Sequence, residues 1–127
     1  MPKDALVLQL PAIPRAFLFM HLRLKFANYV VDKWHQNNHD LEDIPCVYVI
    51  LSFNYWEGYK GFDIKYVGST TKLKSRYKSH KIPKKVQNLG LISLMYYMPM
   101  NKGFYDYEIK LIRKLQPQFN KLRYGNI

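Results

Sequence analysis

The stretch KYVGSTTKLKSRYKSH, Lys65 to His80, holds four lysines, an arginine, a histidine and two tyrosines, and no acid. It opens as the end of a strand and closes as a helix. In FDIKYVG (62–68), Phe62, Ile64 and Tyr66 alternate with Asp63, Lys65 and Val67, the period of a half-buried strand. Ser69, Thr70 or Thr71 can serve as a helix cap, and a helix from about Lys72 to Lys81 is expected. Gly68 stands where the chain leaves the strand, a position suited to close backbone approach or a positive φ.

Outward from this stretch, CVYVILSF (46–53) is a β-rich run, and NYWEGYKG, with Gly58 and Gly61, reads as an extended hairpin connection between the two strands. LISLMYYM (91–98) is a third strand candidate, and a helix is expected from Phe104 to Leu115, preceded by Gly103 and closed by Pro117. The order β-β-α-β-α makes an α+β domain, with a small antiparallel sheet covered by helices. Upstream, RAFLFMHLRLKFANYVVDKWH predicts a helix from about Arg15 to His35. Phe17, Met20, Leu24 and Val31 fall on one side of it, and Leu18, Leu22, Phe26 and Val30 on another. An apolar surface that wide must be covered, by the following domain or by another subunit. QNNHDLEDIP has turn chemistry and ends at Pro45. Residues 1–45 are therefore expected to form a helical extension with a linker, and 46–127 the principal domain.

The net charge of +11 is placed unevenly: residues 1–45 hold five basic and five acidic side chains, whereas 46–127 hold fifteen basic and four acidic ones. A domain this basic attracts polyanions, with nucleic acid the default partner and an anionic membrane surface the weaker one. Charge kept only for solubility is the plainer alternative. A hydrophobic share of 48% across 127 residues argues against disorder and allows one modest core. The single cysteine, Cys46, excludes an internal disulfide and a CxxC zinc site, which suits a reducing intracellular compartment, cytoplasm or nucleoid. AFLFM is too short to span a membrane and no cleavage site comes after it, so neither an anchor nor a signal peptide is expected.

In FYDYEIKLIRKL, Phe104, Tyr107, Leu111, Ile112 and Leu115 form one apolar stripe, and Glu108 lies inside it. A carboxylate there is costly unless paired or bound to a metal. It either reaches solvent or an arginine at the stripe's edge, or serves as one of the few carboxylates of a Mg²⁺ site. Arg76 and His80, four apart, share a helical face, with Leu73 and Tyr77 packing inward beside them. An arginine matches phosphate oxygens with a planar fork that stays charged. Tyr48 lies mid-strand and Tyr66 ends the next strand; with eleven tyrosines in the chain, either one alone is more simply a core or surface aromatic.

Taken in order, Tyr48 in CVY, Tyr66 in YVG, Arg76, His80, then Glu108, Leu111-Ile112, Pro117 and Asn120 resemble the motifs of the GIY-YIG nuclease family over residues 46–122. Two departures stand out. Cys46 occupies the place of the first motif's opening glycine, and the Tyr48–Tyr66 interval is lengthened by NYWEGYKGF, whose Tyr55, Trp56 and Tyr59 are positioned to touch bases or a partner, or simply to pack the hairpin.

The resemblance implies a three-stranded antiparallel sheet flanked by helices, with the site on one sheet face. It implies a DNA endonuclease hydrolysing phosphodiester bonds with one divalent metal, Mg²⁺ or in its place Mn²⁺. Carried over, Glu108 is the metal ligand and Arg76 offsets phosphate charge. Tyr48, assisted by Tyr66 and His80, orients and deprotonates the attacking water, and Asn120 shapes the site. Gly68, Ser69, Lys72, Lys74 and Lys78 are the expected nucleic-acid contacts. The alternative is a GIY-YIG-like module that binds nucleic acid without cutting it, or one active only with a partner. The N-terminal helix is the expected surface for a homodimer or a specificity partner.

Overall fold

The structure, a computed structural model, describes residues 15–37, 42–56 and 61–121. Its elements are α1 (Arg15–Lys33), β1 (His35–Gln36), β2 (Cys46–Phe53), β3 (Phe62–Thr70), α2 (Leu73–Ser79), α3 (Ile82–Asn88), β4 (Ile92–Pro99) and α4 (Phe104–Leu115). The fold is α+β, as its sequence order predicts. One antiparallel sheet in the order β1-β4-β2-β3 carries helices on both faces.

β2 lies between β3 and β4 with helices packed over both of its faces, so it reads as a continuous apolar run rather than an alternating one. Val47, Val49 and Leu51 point to one side, where Ala27 and Val30 of α1 join Leu111, Ile112 and Leu115 of α4. Cys46, Tyr48 and Ile50 point to the other, against Leu73 of α2 and Ile82 and Val86 of α3. The result is three layers, α1/α4, sheet, α2/α3.

The sheet has four strands where three are implied by the resemblance. The expected helix to His35 ends at Lys33, and His35 and Gln36 pair with Tyr97 and Tyr96 on the outer side of β4. Two residues carry no periodicity to read.

A second correction concerns β3. Its register slips between Ile50 and Leu51, so that Ile50 faces Tyr66 and Leu51 faces Ile64, with Lys65 as the extra residue. This bulge breaks the alternation: Ile64 joins the α1/α4 cluster and Tyr66 the α2/α3 cluster.

A third lies in the connection between β3 and β4. The expected helix of 72–81 is α2 alone, interrupted at His80 by an extended backbone (φ −76, ψ 129), and α3 comes next, a helix that sequence pattern leaves unassigned. Pro83 fits the first turn of α3, where no amide donor is needed. Leu73 turns inward as expected, but Tyr77 is 40% exposed, because α2 is only two turns long and Ile82 and Val86 supply the rest of the inner surface. No side chain of the Ser69–Thr71 run caps α2. Asp43 does so from before β2, accepting from the Ser75 amide (2.9 Å) and hydroxyl, and these bonds hold its carboxyl below the ordinary value.

α1 packs on the sheet through Leu22, Phe26, Ala27 and Val30, but Phe17, Leu18 and Met20 stay exposed, so its expected apolar surface is covered only in part. Arg23 Nε bonds Asp63 at 2.8 Å, and its Nη1 donates to the carbonyls of Leu115 (3.1 Å) and Gln116 (3.4 Å). A cation thereby meets the negative end of α4. Gln116, in the left-handed region (φ 46), turns the chain so that 117–120 runs beside β3. No described helix is long and apolar enough to cross a membrane.

Candidate active site

β3 is an edge strand, and the segment after α4 blunts that edge. The Phe119 amide donates to the Lys65 carbonyl at 3.0 Å. Asn120 then acts as a substitute strand: its Oδ1 accepts from the Val67 amide (3.0 Å) and its Nδ2 donates to the Val67 carbonyl (2.9 Å). A cleft of about 440 Å³ opens here, lined among others by Tyr66, Arg76, His80, Glu108 and Asn120. Tyr66 belongs to the α2/α3 side of the sheet, whereas Glu108 comes from α4 on the other. The site therefore straddles the sheet edge rather than lying on one face.

Four of the expected residues meet in one hydrogen-bonded cluster. Tyr48 lies opposite Gly68 in the β2–β3 register, and a Cβ on Gly68 would collide with Tyr48 Cζ and Oη. Gly68 is thus occupied in admitting the Tyr48 ring. The ring stacks beside Tyr66 at 6.1 Å between centroids, and His80 stands edge-on to both, at 5.5 Å from Tyr48 and 4.9 Å from Tyr66.

The backbone fixes the donor direction at His80. The Ile82 amide, which can only donate, bonds His80 Nδ1 at 3.2 Å. The neutral imidazole then carries its proton on Nε2, which donates to Tyr48 Oη at 2.8 Å. Burial, and secondarily the charge of Arg76, push the His80 pKa down to about 4, so the ring is neutral at pH 7. Tyr48 is pushed the other way. Burial raises its pKa most, Tyr66 adds to this, and Arg76 only partly offsets it. A hydrogen bond with Tyr66 adds to the upward shift.

Arg76 bonds both phenols; burial opposes its charge, but the two oxygens outweigh burial and raise its pKa. Tyr66 faces the cleft. Tyr48, only 1% exposed, lies beneath the cleft wall.

Glu108 stands across the cleft, half-buried, with Ser69 Oγ donating to its Oε1 at 3.0 Å. Burial raises its pKa, and the Ser69 hydroxyl and amide only partly counter that. It is a carboxylate held in a poorly solvated place with no ion pair among the described residues, a donor set that suits a divalent ion completed by water and phosphate. No group of three or more His, Cys, Asp or Glu side chains able to hold a metal occurs among the described residues.

The remaining expected contacts divide. Ser69 is committed to Glu108, and Lys72, Lys74 and Lys78 are exposed on or just before α2, outside the lining of the cleft. The lining instead includes Lys81, Lys85 and Lys121, with the Phe119 ring 6.0 Å from the Lys85 ammonium. Sequence pattern alone did not single these out; the four-residue spacing of Lys81 and Lys85 behind a Pro-started helix was the available signal. Tyr55 and Trp56 are exposed, Trp56 to 90%, and Tyr59 lies outside the described residues.

No protein-family model matches the chain, and comparisons with curated proteins and with solved structures find no significant match.

Proposed function

We propose that the protein is a divalent-metal-dependent DNA endonuclease of the GIY-YIG type, hydrolysing phosphodiester bonds at the β3 edge. The observation that carries this reading is the convergence on one cleft of an arginine bonded to two phenols and a half-buried carboxylate that makes no ion pair among the described residues. The basic side chains of the lining fit a polyanion, and a phosphate backbone is the polyanion an arginine fork matches.

Glu108 is the residue that would hold Mg²⁺ or Mn²⁺, which would polarise the scissile phosphate. Arg76 offsets phosphate charge as it builds in the transition state. Tyr66 faces the cleft and orients the attacking water through its phenolic oxygen, which Arg76 holds by a hydrogen bond. Tyr48 and His80 are positioning residues in this scheme: His80 fixes Tyr48, and Tyr48 fixes Tyr66. This reverses the ranking of the two tyrosines that the resemblance implies. Asn120 holds Val67 and so the strand that presents Tyr66.

The test is incubation of supercoiled plasmid with the protein and Mg²⁺, beside Glu108→Gln and an EDTA control. Relaxation or linearisation lost in both controls supports the reading. A plasmid bound but left intact with Mg²⁺ and with Mn²⁺ supports the non-cutting binding module instead.

A further inference from the structure

α4 has two working sides. Glu108 and Ile112 line the cleft, and on the other side Tyr107, Lys110 and Leu111 line a second concavity, a groove of about 830 Å³ between α4 and α1. Leu22 and Phe26 of α1 meet Leu111 and Leu115 at its floor. Tyr29 and Tyr107 stand close enough that Tyr29, after burial, helps raise the Tyr107 pKa. Lys25, Lys110 and Lys114 are exposed along the rim, and no acid among the described residues lines the groove. Among the described residues none of these three lysines is in an ion pair.

An apolar floor between two helices, rimmed by unpaired cations and tyrosines, is complementary to a helix with an aliphatic stripe flanked by carboxylates. Nucleic acid fits it less well. A phosphate backbone would satisfy the lysines but has no aliphatic surface to cover the half-buried Leu22 and Phe26. We propose that the α1–α4 groove is a docking site for an acidic, amphipathic helical segment of a protein partner. Such a partner would lie across α4 from the cleft, about 10 Å away, the diameter of one helix. It would tie the site to wherever the partner is bound. Docking in this groove does not depend on whether the cleft cuts DNA.

The probe is a fluorescein-labelled peptide of about 18 residues, leucines at helical spacing flanked by glutamates, titrated with the full chain by anisotropy. Saturable binding that weakens with added salt is expected. The double variant Lys110→Glu, Lys114→Glu should bind this peptide about tenfold or more weakly and gain binding to the same peptide with lysines in place of glutamates. Both positions are exposed, so circular dichroism and the Tm serve as the check that the variant is folded. Failure of the acidic peptide to saturate, or affinity unmoved by the charge reversal in a folded variant, overturns the proposal. So does a variant whose only loss is affinity for a single-stranded oligonucleotide, which would make the groove a nucleic-acid surface.

Discussion

Ser69 on β3 donates its hydroxyl to Glu108 on α4 at 3.0 Å, and this bond spans the edge strand at which the cleft opens. Burial nevertheless leaves the Glu108 pKa above its ordinary value. With a folded pKa above the unfolded one, the native state binds the proton more tightly, and stability falls as the pH rises through that interval. Glu108→Gln removes the burden and keeps an acceptor for Ser69. At pH 7 its Tm should rise by a few degrees while cleavage is lost, and Mg²⁺ should raise the Tm of the wild type but not of the variant. Thermal melts with and without Mg²⁺ check both.

The two phenols should separate in single-turnover rates. Tyr66→Phe removes the oxygen that faces the cleft and should cost about 10²–10⁴-fold. Tyr48→Phe leaves that oxygen in place and removes only its hydrogen-bond partner, so a smaller loss, roughly tenfold, is expected. Equal losses, or the reverse order, would make Tyr48 the group that meets water.

His80 should resist protonation. Its folded pKa of about 4 lies below the ordinary 6.5, so the unfolded chain takes up the proton first. The stability this contributes is present above pH 6.5 and is lost as the pH falls toward about 4. Imidazole nitrogen shifts followed by NMR should show a neutral ring with its proton on Nε2 at pH 6, and urea melts should lose stability across the same window. His80→Asn or His80→Gln should flatten part of that slope.

Gly68→Ala should destabilise the fold by about 1–3 kcal/mol through overpacking against the Tyr48 ring. Tyr48→Leu, which removes the colliding atoms, should recover part of that loss when combined with it, a coupling that a double-mutant cycle in urea would read.

Asn120→Ala should cost about 2–3 kcal/mol, since it leaves the Val67 amide and carbonyl without partners in a buried place. Cleavage per folded molecule should fall less than in the Tyr66 or Glu108 variants, because Asn120 acts through the strand.

Local periodicity was legible and pairing was not. β2 and α4 are apparent from runs of eight and twelve residues whose apolar pattern is complete within themselves, and Glu108 stood out because it interrupts such a pattern. The bulge at Lys65 is decided by the partner strand, so alternation wrongly put Ile64 and Tyr66 on one face. The cap of α2 comes from Asp43, 32 residues from Ser75, beyond any local motif. Tyr48 and Tyr66 were both in hand, but which of them faces the cleft is set by the bulge and by the space above Gly68.

Metal-dependent cleavage at this site is read by single-turnover assay of an end-labelled DNA duplex in Mg²⁺ with the wild type, Tyr66→Phe and Glu108→Gln, each shown to be folded. Cleavage by the wild type, with both variants slower by about two orders of magnitude or more, is the expected result. Cleavage at equal rates in all three proteins, or in none with Mg²⁺ or Mn²⁺, would contradict it.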